Sequence, residues 1–133
     1  MATTAVRLAL LGAALASSAC GGGTPLVSAG PHPADGPPPV VVHDPPPPTK
    51  VEIVPLRRNQ ECFWKGGYWT PRAGSWRWVK GTWVLPAPGC TLAPAVTHFE
   101  AVEGSTVLVH RAELWYRTDG AEACEAPKDC SDL

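Results

Sequence analysis

Apolar and polar residues alternate through much of the second half of the chain, and a period of two is typical of β-strands that bury one face. Turn-forming residues separate these runs. A shorter alternation precedes them, with Val51 and Ile53 on either side of Glu52, and it ends at Pro55. Proline cannot donate within a central ladder, so this run predicts an edge strand. The whole pattern predicts an all-β fold.

The most regular part of the pattern is residues 62–83, which contain five of the six tryptophans. The segment repeats with a period of 14, because CFWKGGYW (62–69) is followed by WRWVKGTW (76–83). Each copy contains a two-residue turn signal, Gly66-Gly67 in the first and Lys80-Gly81 in the second. Glycine supplies the positive φ of a tight hairpin. The repeat therefore predicts two successive hairpins.

The turns also predict which residues face each other. Trp64 would face Trp69 in the first hairpin, and Trp78 would face Trp83 in the second. A four-residue loop, 72–75, closed by Pro71 opposite Trp76, would join the hairpins and place Trp69 opposite Trp78. The expected result is an antiparallel meander of four short strands around residues 61–85.

In this meander the tryptophans form one row on one face, with Trp76 in a second row beside them. Tyr68 and Arg77 lie on the opposite face. The aromatic face is interpreted either as the core or as an exposed binding surface. The candidate binding residues are accordingly Trp64, Trp69, Trp76, Trp78, Trp83, Tyr68 and Arg77.

Residues downstream of the break at Pro86–Gly89 predict a hairpin and a final strand. The hairpin pairs Val96–Val102 with Thr106–Arg111 around Glu103-Gly104-Ser105, and the strand covers Glu113–Arg117. These apolar strands are natural packing partners for the aromatic sheet. Together they predict a small barrel or a two-layer sandwich.

Residues 1–19 have the features of an export signal: Arg7, the apolar run Leu8–Leu15, and the small residues Ser17-Ser18-Ala19. The apolar run is too short to span a bilayer as a helix. Cys20 follows directly, as in bacterial lipoprotein signals, so Cys20 is the predicted lipidation site. Ordinary secretion with a free Cys20 is the alternative. Gly21 does not resemble the aspartate that retains enterobacterial lipoproteins at the inner membrane, which favours the outer membrane.

Residues 20–49 are rich in proline, which favours the extended polyproline II conformation, and they predict a disordered tether. Val40–Val42 is a lone apolar triplet that is either incidental or adds a strand at a partner's edge. The predicted organisation is therefore a signal peptide (1–19), a lipidated cysteine with its tether (20–49), an all-β domain (50–120) and an acidic, irregular tail (121–133).

The remaining cysteines, Cys62, Cys90, Cys124 and Cys130, form an even set in an exported domain and predict two disulfides. Three connectivities are possible. Cys124 and Cys130 are close in sequence, which favours a short loop between them and leaves Cys62 to pair with Cys90.

The net charge of −1 conceals an asymmetry. Residues 50–80 carry seven basic side chains against two acidic ones, whereas residues 100–133 carry eight acidic side chains against three basic ones. The basic half suits anionic phospholipid, lipopolysaccharide or wall polymer. The alternative is that the two halves complement each other within one fold.

The pattern WxWxxGxW at residues 76–83 resembles the repeat of the YXWXXGXW-repeat proteins, which are mostly bacterial envelope lipoproteins. The first copy departs from it, with Cys62 where the repeat has an aromatic residue. The proline-rich lead into Val51–Pro55 is also similar, so that the resemblance covers about residues 45–88. It implies an envelope location and no established activity.

Candidate chemistry is sparse. His98, Glu100, His110 and Glu113 could contribute to a metal or acid–base site, but their spacing is not diagnostic. Basic residues among aromatic residues suit binding to nucleic acid or to sugars. Export from the cytoplasm argues against nucleic acid. The sequence thus predicts a non-enzymatic envelope lipoprotein without cofactor or metal, anchored to the membrane by lipid, with wall glycan or another envelope protein as partner. The alternatives are a glycan- or peptidoglycan-binding module that uses exposed tryptophans and, less favoured, a metal-dependent hydrolase.

Overall fold

The computed structural model describes residues 22–119, 124–131 and 133. The predicted signal peptide and Cys20 lie outside these ranges. The described residues are all-β, as predicted, and contain no helix, so none is long and apolar enough to cross a membrane. The strands are β1 (Val40–Val41), β2 (Phe63–Lys65), β3 (Tyr68–Arg72), β4 (Ser75–Val79), β5 (Thr82–Leu85), β6 (Cys90–Ala93), β7 (Val96–Val102), β8 (Ser105–Arg111), β9 (Leu114–Arg117) and β10 (Lys128–Asp129).

The strands form four small antiparallel sheets. Two sheets have three strands, in the orders β1-β8-β7 and β10-β5-β2, and two sheets are the pairs β3-β4 and β6-β9. Within the described residues these sheets do not close, so of the two predicted arrangements, barrel or sandwich, the small barrel is wrong. A core of Val84, Leu92 and Trp115 joins β5, β6 and β9.

The tryptophan-rich segment forms one long hairpin rather than a four-stranded meander. In β3-β4, Trp69 faces Trp78 and Pro71 faces Trp76, as predicted. In β2-β5, however, Trp64 faces Trp83, so this ladder continues the register of the β3-β4 ladder. The single turn is Ala73-Gly74, where φ is 48° and 79°, as in a type I′ hairpin turn.

The prediction that Gly66-Gly67 and Lys80-Gly81 are turns is therefore wrong. Neither Gly67 nor Gly81 has a positive φ. Continuing the common register places the two dipeptides opposite each other, between the β2-β5 ladder and the β3-β4 ladder. The 14-residue repeat thus relates the two arms of one hairpin by a local two-fold axis.

The C-terminal hairpin is confirmed. β7 pairs with β8 from Val96 opposite Arg111 to Val102 opposite Ser105, and Glu103-Gly104 forms the turn with positive φ at both residues. The predicted final strand is present as β9. Its partner β6 was not predicted, because Pro86–Gly89 indicated only a break.

Residues 22–49 pack against the strands, which contradicts the predicted disordered tether. The segment 25–30 donates and accepts backbone hydrogen bonds with Trp64 of β2 and then with Leu92 of β6, at 2.8–3.1 Å. β1 pairs with the edge of β8, so Val40–Val42 adds a strand within its own chain. The predicted edge strand around Ile53 is absent, since residues 50–58 form no ladder.

Two disulfides are present, but the favoured pairing is wrong. Cys62 is bonded to Cys130, and Cys90 to Cys124, with Cα atoms 6.5 and 6.2 Å apart. The described part of the tail is not irregular, because β10 pairs with β5. This pairing places Cys130 beside β5, and β2 lies on the other side of β5. Because Cys62 directly precedes β2, the two cysteines are brought together.

Candidate functional site

The tryptophans of the long hairpin pack in pairs across its two ladders. The ring centroids of Trp64 and Trp83 are 5.5 Å apart, and those of Trp69 and Trp78 are 5.2 Å apart, both edge to face. Such pairs contribute about 0.5–1.5 kcal/mol beyond the area they bury. Trp76 packs in the same manner on His110 of β8, at 5.6 Å. The aromatic residues therefore link the hairpin to the β7-β8 sheet.

Residues 44–58, which we call the strap, lie across these indoles. Three indole Nε1 groups donate to strap carbonyls at 3.0–3.2 Å: Trp76 to Asp44, Trp69 to Pro48, and Trp83 to Pro55. An extended proline-rich segment leaves its carbonyls free to accept, and the three indole rings are partly buried beside it. The tryptophan face is consequently covered by the chain itself.

Glu52 of the strap reaches the interruption in the hairpin. Its carboxylate accepts hydrogen bonds from the amides of Gly67 and Gly81 and from the Trp78 indole, all at 3.0–3.1 Å. Burial by itself raises the pKa of Glu52, but the hydrogen bonds from Trp78, Gly81 and Gly67 and the charge of Lys80 outweigh it and leave the pKa below its ordinary value. The carboxylate thus closes the gap between the two ladders.

Replacing Glu52 by alanine is expected to lower the free energy of unfolding by about 2–3 kcal/mol, because three donors lose a charged acceptor. Glutamine should cost less, since it retains one acceptor oxygen. The folded-state pKa lies below the unfolded value, so the charge stabilises the fold above pH 4.5, and this contribution is lost as the pH falls through the folded-state pKa.

Urea unfolding of the parent and of Glu52→Gln at pH 7 and pH 3 measures this effect. The difference between the two proteins should shrink at pH 3. Glu61→Gln, which alters an exposed carboxylate, is the matched control and should have little effect at either pH. A difference for Glu52→Gln that is independent of pH would contradict this role of the charge.

The outer side of the strap is aliphatic, whereas two of its cations contact the hairpin. Val51, Ile53 and Leu56 are 100%, 94% and 91% exposed. Lys50 lies over the Trp69 ring, 5.2 Å from its centroid, and Arg57 donates to the carbonyl of Cys62 at 2.8 Å. The polar residue of the alternation in 50–54 is therefore turned inward, and the apolar residues face solvent.

The other predicted binding residues lie in different surroundings. Arg77 is exposed on β4. Tyr68 is half-buried beside Lys65, whose ammonium contacts both carboxylate oxygens of Glu113 at 2.9 Å. Burial, with the nearby charge of Glu113, raises the pKa of Tyr68 to about 12. Tyr68 thus belongs to an internal polar cluster, and Arg77 remains available at the surface.

The candidate metal or acid–base residues do not converge. Glu100 contacts His98 and Arg111 at 3.4 and 3.3 Å, and Glu113 is paired with Lys65. His110 is buried against Trp76, and Thr97 is 3.0 Å from its Nδ1. Burial, together with the charge of His32, lowers the pKa of His110. Among the described residues no group of three metal-binding side chains is present.

A cleft of about 360 Å³ borders the outer edge of the Trp64–Trp83 pair. The strap forms one wall, with Leu56, Arg58 and Asn59, and the C-terminal segment adds Ser131. Two smaller clefts also border tryptophans: one of about 330 Å³ is lined by Trp76, and one of about 260 Å³ is lined by Trp69, Trp78 and Tyr68. These clefts are places where a ligand could meet tryptophan rings without displacing the strap.

Sequence reasoning missed both the strap and Glu52. One signal was present: Glu52 is the only acidic residue between Asp44 and Glu61, in a proline-rich segment that leads into the tryptophan repeat. Comparison with protein-family models, curated proteins and solved structures finds no match. The resemblance to the YXWXXGXW-repeat proteins therefore stays a prediction from the repeat.

Proposed function

We propose that this protein is a non-enzymatic lipoprotein of the bacterial cell envelope, anchored through Cys20, in which the tryptophan-rich β domain has a structural or interaction role. One observation carries the proposal. The aromatic face is engaged by the strap through three indole–carbonyl hydrogen bonds and by Glu52 through the Trp78 indole. The tryptophans are accordingly used to build a stable domain around a proline-rich segment.

Two further features support an envelope location. Disulfides persist in oxidising compartments, such as the periplasm, and the described domain contains two. The apolar run Leu8–Leu15 with small residues before Cys20 is typical of a lipoprotein signal. Acylation by more than one chain provides a stable membrane anchor, and the outer membrane is the proposed site.

The glycan-binding alternative has weaker support. Sugars stack on exposed ring faces, whereas Trp69, Trp76 and Trp78 are half-buried beneath the strap. A glycan would be left with the small clefts that border Trp76, Trp83 and the Trp69–Trp78 pair. The hydrolase alternative has weaker support again, since His98, His110 and Glu113 make separate contacts.

Acylation of Cys20 tests the proposed anchoring. The full chain is produced in a Gram-negative host with an alkyne analogue of palmitate, and label and membrane association are measured. We expect the parent to be labelled and membrane-bound, and Cys20→Ala to lose the label. Ser18→Ala, which keeps a small residue before the cysteine, is the control and should be labelled like the parent. An unlabelled parent, or a labelled Cys20→Ala variant, would overturn the proposal.

A further inference from the structure

The three most exposed large apolar side chains among the described residues, Val51, Ile53 and Leu56, all belong to the strap. We call them the strap ridge. Single exposed apolar residues are ordinary, but a cluster within six residues marks a contact surface. The ridge has a structural cause: the inner side of the strap is occupied by the bonds to the indoles and by Glu52. The aliphatic side chains are left to face outward.

The charges of the strap are distributed in the same way. Its only acidic side chain after Asp44, Glu52, is directed inward to Gly67, Gly81 and Trp78. Lys50 precedes the ridge and Arg58 follows it, and both are exposed, whereas Arg57 is turned to the Cys62 carbonyl and the Phe63 ring. The outer side therefore presents aliphatic residues between cations, with no carboxylate among them. This composition is typical of segments that insert apolar side chains at a bilayer surface while their cations meet anionic headgroups.

The path of the chain places this surface near the proposed anchor. Pro25 accepts a hydrogen bond from the Trp64 amide at 2.8 Å. It is the fifth residue after Cys20, and five residue steps span at most about 18 Å when fully extended. Pro55 contacts Trp83, the ring partner of Trp64. A domain of this size is wider than that span, having a radius of gyration of about 13 Å. An acylated Cys20 would hold the domain against the membrane.

From these three observations we propose that the strap ridge, with Lys50 and Arg58, docks on the surface of a bilayer that contains anionic phospholipid. The inference rests on the proposed membrane location and adds a second contact to the lipid anchor. The strap then has two sides with different roles: the inner side closes the tryptophan face, and the outer side meets the membrane.

The test uses the full chain carrying Cys20→Ala, so that no acyl chain contributes, and vesicles of phosphatidylcholine with or without 30% phosphatidylglycerol. We expect co-sedimentation with the anionic vesicles. Val51→Ser/Ile53→Ser/Leu56→Ser should weaken it at least about tenfold, and Lys50→Gln/Arg58→Gln should weaken it selectively on anionic vesicles. Phe99→Ser, which removes a 71% exposed ring from β7, is the control and should bind like the parent.

Segment-resolved hydrogen exchange then locates the contact, with residues 50–58 expected to gain protection when anionic vesicles are added. The proposal would be overturned if the triple variant, folded like the parent by near-ultraviolet circular dichroism, bound the vesicles as well as the parent does. Protection confined to other segments would also overturn it. A second result would also overturn it: the parent self-associates with rising concentration but does not bind vesicles, and the triple variant no longer self-associates. That result would assign the ridge to contact with a second copy of the chain. Because the chain tested lacks Cys20, failure here is distinct from failure of acylation.

Discussion

Replacing Cys62 and Cys130 together by alanine is expected to lower the free energy of unfolding by about 4 kcal/mol. The disulfide joins residues 68 apart, and closing so long a loop removes much of the conformational entropy of the unfolded chain. Both cysteines are also buried, at 0% and 5% exposure, so the variant loses packed sulfur atoms. Urea unfolding under non-reducing conditions measures the change.

The second disulfide is the matched control for this prediction. Cys90 and Cys124 are 34 residues apart, so Cys90→Ala/Cys124→Ala should cost about 0.6 kcal/mol less from loop closure. Peptide mapping of the unreduced parent should recover Cys62 linked to Cys130. Recovery of Cys62 linked to Cys90 would contradict the pairing, as would a Cys62→Ala/Cys130→Ala variant that unfolds at the urea concentration of the parent.

Features fixed by neighbouring residues could be predicted from the sequence. The β7-β8 hairpin follows from two alternating runs around Glu103-Gly104, and the pairing of Trp69 with Trp78 follows from a short loop between them. In each case the turn sets the register, so that a local pattern contains enough information. The predicted all-β class has the same origin.

Features that depend on distant segments could not be predicted. The tail reaches Cys62 only because β10 pairs with β5, and a two-residue strand leaves no clear pattern. The alternation around Glu52 predicts an edge strand, and in such a strand the apolar side usually faces inward. In the structure the tryptophans already supply the apolar surface on which the strap packs. The amides of Gly67 and Gly81 and the Trp78 indole N–H require a hydrogen-bond acceptor there. Glu52 is therefore the side chain turned inward.

The glycines of the repeat show why one residue type supported two interpretations. Glycine serves where φ is positive, and also where another group approaches too closely for a Cβ atom. The sequence favoured the first use at Gly66-Gly67. The structure has the second at Gly67, because the carboxylate of Glu52 and the ring of Trp78 occupy that space. The two uses make different predictions for substitution at Gly66.

Replacing Gly67 by alanine is expected to lower the free energy of unfolding by about 2–3 kcal/mol, as in other overpacked sites. A Cβ atom there would lie 2.5 Å from Cζ2 of Trp78 and 2.7 Å from the carbonyl oxygen of Val79. The ring is held by its bond to Glu52, and the carbonyl belongs to the backbone, so neither can yield without disturbing the ladder. Gly81→Ala should behave alike, since its Cβ would meet Trp64 and the Lys65 carbonyl.

Gly66→Ala supplies the contrast, measured by the same urea unfolding with tryptophan fluorescence. A Cβ atom at Gly66 meets nothing within 4 Å, and its φ is not positive. Alanine there should leave stability unchanged or raise it by up to about 1 kcal/mol, by reducing the freedom of the unfolded chain. If Gly66→Ala were as harmful as Gly67→Ala, the dipeptide would be a tight turn and Trp64 would face Trp69. If Gly66→Ala is harmless and Gly67→Ala is not, the dipeptide is the interruption in the hairpin where Glu52 binds.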